Sequence, residues 1–377
     1  MLIAGEASGD LLAAELVSAL RLKLPEATFF GAGGAKMAEA GVELAFDLTQ
    51  HAATGIPTAG RFVQGRKQLN QLFALAIERK PDAVIGVDYG FFNLRFGHAI
   101  KQFVHDNPFS NWNPKIVQFV SPQVWASRPG RARQLEADYD LLLSIFPFEK
   151  NWYAKRAPKL RVEFVGHPMV DRLKVEGRWL KAEMSVVSPM VLLLPGSRKS
   201  ELKHHLPVML DAAQLIQAKL PKSRARMVLP NAALKELADK LSAPPPNIET
   251  QVGNLPQALA QADVVISKTG TVTMECAFFG VPTVTLYQKP LLGLAIGLGI
   301  ITVNSLTMPN LLAGEEVYPE FLQKNATPEN IARAALELLQ DEPRRQEIKL
   351  QLAKIISSLG GPGACERAAA AIQSLFN

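Results

Sequence analysis

Only two cysteines occur in the 377 residues, Cys276 and Cys365. They stand far apart with no metal-ligand spacing around either, which excludes a disulfide framework and a zinc motif and fits a reducing cytoplasm. No apolar run is long enough to span a bilayer. The longest uncharged stretch, 290–315, is punctuated by Gly293, Gly297, Gly299, Asn304, Pro309 and Asn310, and is apolar without a break only from Leu291 to Val303. The N-terminus has no basic region ahead of a long apolar run, so a secretory signal is not expected. Neither GxSxG, HExxH nor a Cys–His pairing is present, which removes the common hydrolase and protease readings. The net charge of +6 is modest and divides evenly between the halves. Without a basic stripe, nucleic acid is not an expected partner. Low-complexity tracts are absent too.

What is present is the composition of a globular protein, 48% hydrophobic and 20% charged, with length for two domains. Short apolar runs alternate with helical periodicity. Leu2-Ile3-Ala4 is a clipped first strand, which predicts either a start a few codons upstream or an unusually short strand. A helix face follows at Leu12, Leu16, Val17 and Leu20, with Ser8 or Asp10 as its cap. Strands are then expected over Thr28–Gly34, Asp82–Asp88, Lys115–Val120, Leu141–Phe146 and Glu163–His167, with helices at 61–79 and 94–105 and a loop at 121–134. After a linker at 174–188 the alternation resumes with strand Val186–Leu194 and helix 203–220. Strands Arg226–Pro230, Glu249–Val252, Asp263–Ser267 and Thr283–Tyr287 follow, separated by helices 232–241, 256–261 and 271–279. Helices at 327–340, 343–358 and 363–376 close the chain. Strands alternating with helices mean parallel sheets covered on both faces. The expected fold class is therefore α/β in the GT-B arrangement of nucleotide-sugar glycosyltransferases, two doubly wound Rossmann-like domains facing a cleft. The expected limits are 1–173, 174–350, and a helical segment 351–377 able to pack back on the first domain. Ligands in such folds bind outside the carboxyl ends of strands.

The candidate sites lie at such ends. Val191-Leu-Leu-Leu-Pro-Gly-Ser-Arg198 is a strand running into a turn and a helix start, where backbone N–H groups suit an anion and Arg198 can pair bidentately with phosphate, or else an ordinary strand–turn–helix joint with a surface Arg. Gly5-Glu-Ala-Ser-Gly-Asp10 is not the dinucleotide fingerprint; its Gly5 and Gly9 permit close approach of a ligand, or simply form a plain βα turn. Asp88 ends a buried strand, where its carboxylate can take a proton from an attacking hydroxyl or simply cap the next helix. Ser267–Glu275 places Gly270 and Thr271 at a helix start, with Glu275 about one turn in, as a diphosphate cradle or as a helix cap. Asp138-Tyr139-Asp140 has the D-x-D form of metal-dependent transferases. Because it immediately precedes a strand, it is read as structural, with no metal expected. His167 closes the first half and can reach the expected cleft, whereas His204 and His205 are read as surface.

Taken in order, these segments resemble the lipid-A-disaccharide synthase family over nearly the full length. The matching pieces are Ala4–Asp10, Gly86-Val-Asp88 with Phe92-Asn-Leu94, Val120–Trp125, Phe146–Lys150, Phe164–Pro168, Leu193–Arg198 with Glu201, Ser267–Glu275 and Pro309–Gly314. The resemblance implies transfer of 2,3-diacylglucosamine from its UDP derivative to 2,3-diacylglucosamine 1-phosphate. The products are a β-1,6-linked disaccharide 1-phosphate and UDP, formed with inversion and without a cofactor. It further implies Asp88 as general base and Arg198 at the UDP diphosphate. Gly5, Ser8, Gly9, Gly196, Ser197, Glu201, Gly270, Thr271, Glu275 and Asn310 are the implied UDP-sugar set, and Asn93, Trp125 and His167 the implied acceptor set.

The chain departs from the family pattern Gly-x-Asp-x-Pro-Asp-Phe-Asn by carrying Gly90 and Phe91, and from Trp-Ala-Trp-Arg by carrying Ser127. If the missing second carboxylate orients the acceptor, acceptor or acyl preference changes. Both substrates carry acyl chains, so the resemblance implies work at the cytoplasmic face of the inner membrane as a peripheral protein. Helix 61–79, with Phe62, Val63, Leu69, Leu72 and Phe73 beside Arg61, Arg66 and Lys67, is a candidate contact, or else a core helix with a charged outer face. Acyl-chain length and oligomeric state are left open. Rival readings are another UDP-N-acetylglucosamine glycosyltransferase or 2-epimerase of this fold, and a silent nucleotide-sugar or lipid-binding homologue.

Overall fold

The computed structural model describes residues 1–49, 59–175, 188–288 and 303–377. The chain forms two compact units, Met1–Arg172 with Leu359–Asn377, and Leu173–Ser358. Residues 176–187 of the expected linker at 174–188 and residues 290–302 of the uncharged stretch at 290–315 lie outside the described residues.

In the first unit seven parallel strands follow the order β3-β2-β1-β4-β5-β6-β7. They are β1 (Leu2–Ala4), β2 (Phe30–Gly33), β3 (Glu43–Asp47), β4 (Ala83–Val87), β5 (Lys115–Phe119), β6 (Leu141–Ser144) and β7 (Val162–Phe164). The chain lays strands outward from β1 to β3, then returns to pair β4 on the other side of β1, with Leu2 opposite Ile85 and Ala4 opposite Val87. That reversal leaves a crevice at the carboxyl ends of β1 and β4. Both strands read as unbroken apolar runs because helices cover both faces. One core layer gathers Ile3, Phe30, Leu72, Phe92, Phe96, Ile100, Ile116 and Leu142.

The second unit repeats the plan with six parallel strands ordered β10-β9-β8-β11-β12-β13. They are β8 (Met190–Leu194), β9 (Arg224–Leu229), β10 (Ile248–Val252), β11 (Val264–Lys268), β12 (Thr283–Tyr287) and β13 (Glu320–Leu322). Its reversal falls between β8 and β11, where Leu193 lies opposite Ile266 and Leu194 opposite Ser267.

The final helix, Ala364–Gln373, packs on the first helix, Ala7–Lys23. Asp171 accepts from the backbone N–H groups of Gly363 and Ala364, and the Arg367 guanidinium donates to the carbonyl of Val165. The N–H of His167 donates to the Leu359 carbonyl.

Three expectations are corrected. The first helix starts at Ala7 with Glu6 as its cap residue, so Ser8 lies inside the first turn. Asp10 caps a different element: its buried carboxylate accepts from the N–H groups of Gly34, Lys36 and Met37 at the start of the helix Ala35–Glu39. In the helix Ala59–Arg79, Leu72 is buried and Leu69 and Phe73 pack on the core. Those side chains are unavailable to a bilayer, while Val63, Arg66 and Lys67 stay on the outer face.

Candidate active site

The crevice of the first unit is built around a strained corner. Asp88, directly after β4, and Tyr89, which caps the helix Gly90–Asp106, both have positive φ, 51° and 43°. Val120, directly after the adjacent β5, has φ 67°, an outlier for a β-branched residue. Three such residues at one sheet edge store strain of the kind that clusters at active sites. The corner is held from beneath by two amides, since Nδ2 of Asn93 and Nε2 of Gln118 each donate to the Asp88 carbonyl at 2.8 Å. This leaves Oδ1 of Asn93 and Oε1 of Gln118 buried without a partner, a cost accepted where backbone position matters. The N–H of Asp88 donates to the Phe119 carbonyl.

Burial raises the pKa of the Asp88 carboxyl, with the Tyr89 N–H pulling the other way. A carboxyl moved toward neutrality is a better proton acceptor for a hydroxyl than an ordinary one. Gly5 and Gly9 line the same corner. A β-carbon on Gly5 would lie 2.2 Å from the Tyr89 ring, and one on Gly9 would lie 3.5 Å from Cβ of Asp88. Ser8 is exposed beside them.

Three residues expected to meet an acceptor sit one layer back. The Asn93 amide donates into the Asp88 corner. The Trp125 indole N–H donates to Oε1 of the buried Glu149 at 2.9 Å. Nδ1 of the buried His167 accepts from the Met169 N–H, and burial, with Arg172 adding to it, lowers the imidazole pKa to about 3. All three are buried because the helix starts and loops at this edge pack over them. The contacts given for all three are within the protein and brace this edge.

Asp138 faces His98 at 3.0 Å, and Asp140 accepts from the Ile116 N–H and from Lys101. The D-x-D carboxylates therefore tie the entry of β6 to its neighbours. Among the described residues no group of three or more His, Cys, Asp or Glu is placed to hold a metal ion.

In the second unit, β8 delivers Pro195-Gly196-Ser197-Arg198 to the start of the helix Lys199–Lys219, with Arg198 as its cap residue and its side chain half exposed. Gly196 has φ 133°, and a β-carbon there would lie 2.5 Å from Oε2 of Glu201. The Glu201 carboxylate is occupied locally. It accepts from the Ser197 N–H at 2.8 Å, pairs with Lys268 at 3.3 Å, and lies 3.9 Å from Arg198. It shapes the turn and draws two cations to it. Lys268 ends β11, and Gly270 and the exposed Thr271 follow it into the helix Val272–Phe278. Thr271 makes no side-chain cap, whereas the Thr273 hydroxyl donates to the Gly270 carbonyl. Glu275, half buried, stands in the first turn. The crevice thus presents Arg198, Lys268 and two helix starts, a set suited to a diphosphate.

Asn310 lies elsewhere. Its Nδ2 donates to the Tyr318 carbonyl and to Glu320, while its Oδ1 accepts from the N–H groups of Val317 and Tyr318. These bonds hold the loop that ends in β13.

Two residues escaped sequence reasoning. Gln118 is a fully buried polar residue inside the apolar strand β5. His205, read as surface, is only 1% exposed. Its Nδ1 lies 3.1 Å from the Pro195 carbonyl and its Nε2 accepts from the Gln288 N–H, so it pins the Pro-Gly turn to the end of β12. The signal was its place on the apolar face with Leu202, Leu206 and Met209.

Comparisons with known proteins extend these observations. The family model described as lipid-A-disaccharide synthetase matches residues 1–375. Lipid-A-disaccharide synthase of Myxococcus xanthus is 34% identical, with 100% of this chain and 97% of the relative covered. That of Syntrophus aciditrophicus is 35% identical over 98% of this chain and 95% of the relative. Among solved structures, the glycotransferase of kitacinnamycin superposes with a TM-score of 0.63 at 18% identity, covering 100% of this chain and 98% of its own. That likeness shows the GT-B fold alone.

Proposed function

The chain belongs to the lipid-A-disaccharide synthase family, and from that membership we propose how its two crevices divide one reaction. A family member transfers a glucosamine unit from a UDP-sugar to a glucosamine-type acceptor. In the reading proposed, the donor is UDP-2,3-diacylglucosamine and the acceptor 2,3-diacylglucosamine 1-phosphate. Asp88 takes the proton of the acceptor 6′-hydroxyl as its oxygen attacks the anomeric carbon from the face opposite UDP, so the configuration inverts to β-1,6. Negative charge grows on the departing diphosphate. Arg198, Lys268 and the helix starts at Lys199 and Val272 stabilise it where it develops.

The observation that carries this reading is the Asp88 corner, a carboxyl with its pKa raised by burial on a backbone strained and braced to fix its position. Work at the cytoplasmic face of the inner membrane is part of the proposal, because both substrates are anchored by acyl chains. Among the described residues no helix is long and apolar enough to cross a membrane, so access would be from the surface.

The test is incubation with the two acylated substrates. Native protein is expected to release UDP and the disaccharide 1-phosphate, and Asp88→Asn to lose about 10²–10⁴ in kcat. Arg198→Ala is expected to lose about 10²–10³. Full turnover by the Asp88 variant would remove the base from the mechanism.

A further inference from the structure

Behind the Asp88 corner, a buried carboxylate ties together the segments that leave the next two strands. The helix Pro147–Ala154 follows β6, and its Glu149 and Tyr153, one turn apart on the same face, are both fully buried. Both meet the segment that follows β5. The Trp125 indole N–H donates to Oε1 of Glu149 at 2.9 Å. The Tyr153 hydroxyl donates to the Pro122 carbonyl at 3.2 Å and lies 3.1 Å from Oγ of Ser121. Oε2 of Glu149 accepts from the Phe146 N–H, and further hydrogen bonds from Ser121 and the Ile145 backbone favour the charged carboxylate.

The segment held in this way reaches Asp88 by two routes. A β-carbon on Gly90 would lie 2.9 Å from Cβ of Pro122, so the head of the helix Gly90–Asp106 rests on Pro122 two residues after Asp88. Nε2 of Gln118 joins the carbonyls of Asp88 and Val120, at 2.8 and 3.2 Å, and Val120, with its positive φ, immediately precedes Ser121. A shift of Ser121 or Pro122 is thereby delivered to the Asp88 backbone. Keeping a carboxyl out of water is costly even when donors answer it, and burial accordingly raises its pKa to about 7. What the group supplies in return is two acceptor oxygens facing rigid donors, the indole being fixed by its edge-on contact with Phe148 at 4.9 Å between ring centres.

We propose that Glu149 is a positioning residue for the transfer, holding Ser121–Trp125 so that Val120 and Pro122 keep the Asp88 carboxyl where it meets the acceptor hydroxyl. The proposal rests on the reading of Asp88 as base given above. Glu149 acts through Asp88, and its effect falls on kcat. Glutamine in its place turns one acceptor into a donor, which then faces either the Trp125 N–H or the Phe146 N–H.

The test measures kcat and both KM values at about pH 8, where the carboxyl is ionised, for native protein, Glu149→Gln, Asp88→Asn and the variant carrying both changes. Glu149→Gln is expected to lower kcat roughly 10- to 100-fold with both KM values little changed, and to add no further loss in the Asp88→Asn background. An equal loss in both backgrounds, a loss confined to KM, or no loss would overturn the proposal while leaving the base in place. Should Glu149→Gln fail to fold, Tyr153→Phe removes only the hydroxyl that donates to Pro122; a smaller loss of the same pattern supports the proposal, and an unchanged kcat overturns it. Full turnover by Asp88→Asn would overturn the base and this inference together. Hydrogen exchange judges the geometry apart from turnover, and so decides for Glu149 even if native protein were inactive and the transferase reading failed. In Glu149→Gln, residues 86–94, where the Asp88 N–H is bonded to the Phe119 carbonyl, should exchange faster while β2 exchanges as in native protein. Unchanged exchange over 86–94, or an equal rise in β2, would overturn the proposal.

Discussion

Glu149 receives the Trp125 indole N–H and the backbone N–H of Phe146, and burial pushes its carboxyl up to about 7, against those hydrogen bonds and one from Ser121. The ordinary value is 4.5. A carboxyl raised in the fold stabilises fully below its unfolded value, and that contribution is lost as pH rises through about 7, on the order of 3 kcal/mol in all. Glu149→Gln should therefore flatten the fall in stability between those limits, measured as denaturation midpoint against pH. Parallel profiles for the two proteins would refute the assignment. His167 works in the other direction. Its imidazole, lowered to about 3, contributes stability that is complete above about 6.5 and is lost as pH falls through 3. For Asp88, only the direction matters: with its pKa raised, the acid limb of kcat/KM should lie above the ordinary carboxylate range. A limb at or below that range would mean that another group accepts the proton.

The turn between β8 and the helix Lys199–Lys219 shows what an element needs beyond its own residues. His205 bridges the Pro195 carbonyl and the Gln288 N–H. His205→Leu should cost about 1–3 kcal/mol and raise the donor KM through Pro195–Arg198, leaving the acceptor KM alone; a change in acceptor KM instead would place its influence elsewhere. The central strands and their helices were legible because burial on both faces leaves uninterrupted apolar runs. The edge strand β3 was not. Its residues are half exposed or exposed throughout, so no run marks it, and β13 is only three residues long. The helix Pro147–Ala154 carried its own signature, Pro147 at its first position and Glu149 reaching back to the Phe146 N–H, but its few buried positions gave no periodicity. The positions of Asp88 and Arg198 beyond the ends of β4 and β8 were legible from the apolar runs before them, while the inward turn of Asn93 and Trp125 depends on partners remote in sequence. On the helix Ala59–Arg79 the exposed Val63, Arg66 and Lys67 remain the candidates for bilayer contact. A Val63→Asp, Lys67→Glu variant should sediment less with anionic vesicles, and equal sedimentation would clear this helix of the role.

The first unit is closed by residues that follow the second unit in the chain. The helix Ala364–Gln373 covers the helix Ala7–Lys23, and Asp171, Val165 and Lys23 are hydrogen-bonded to Gly363, Arg367 and Gln373. A chain ending at Ser358 should lower the denaturant midpoint of the first unit and barely move that of the second. Three of the four tryptophans, Trp112, Trp125 and Trp152, lie in the first unit and Trp179 in the second, so in a Trp179→Phe background the fluorescence reports the first unit; an unshifted tryptophan transition there would show that the closing helix adds little. The same connectivity sets an order of events on the ribosome. Leu173–Ser358 is a continuous segment that can complete its contacts as soon as it clears the exit tunnel. The half carrying Asp88, although begun first, must wait as an open sheet until Leu359–Asn377 has emerged. A nascent chain stalled before Leu359 would thus hold a finished second unit and an unfinished first one, exposing the apolar flank of its first helix to chaperones.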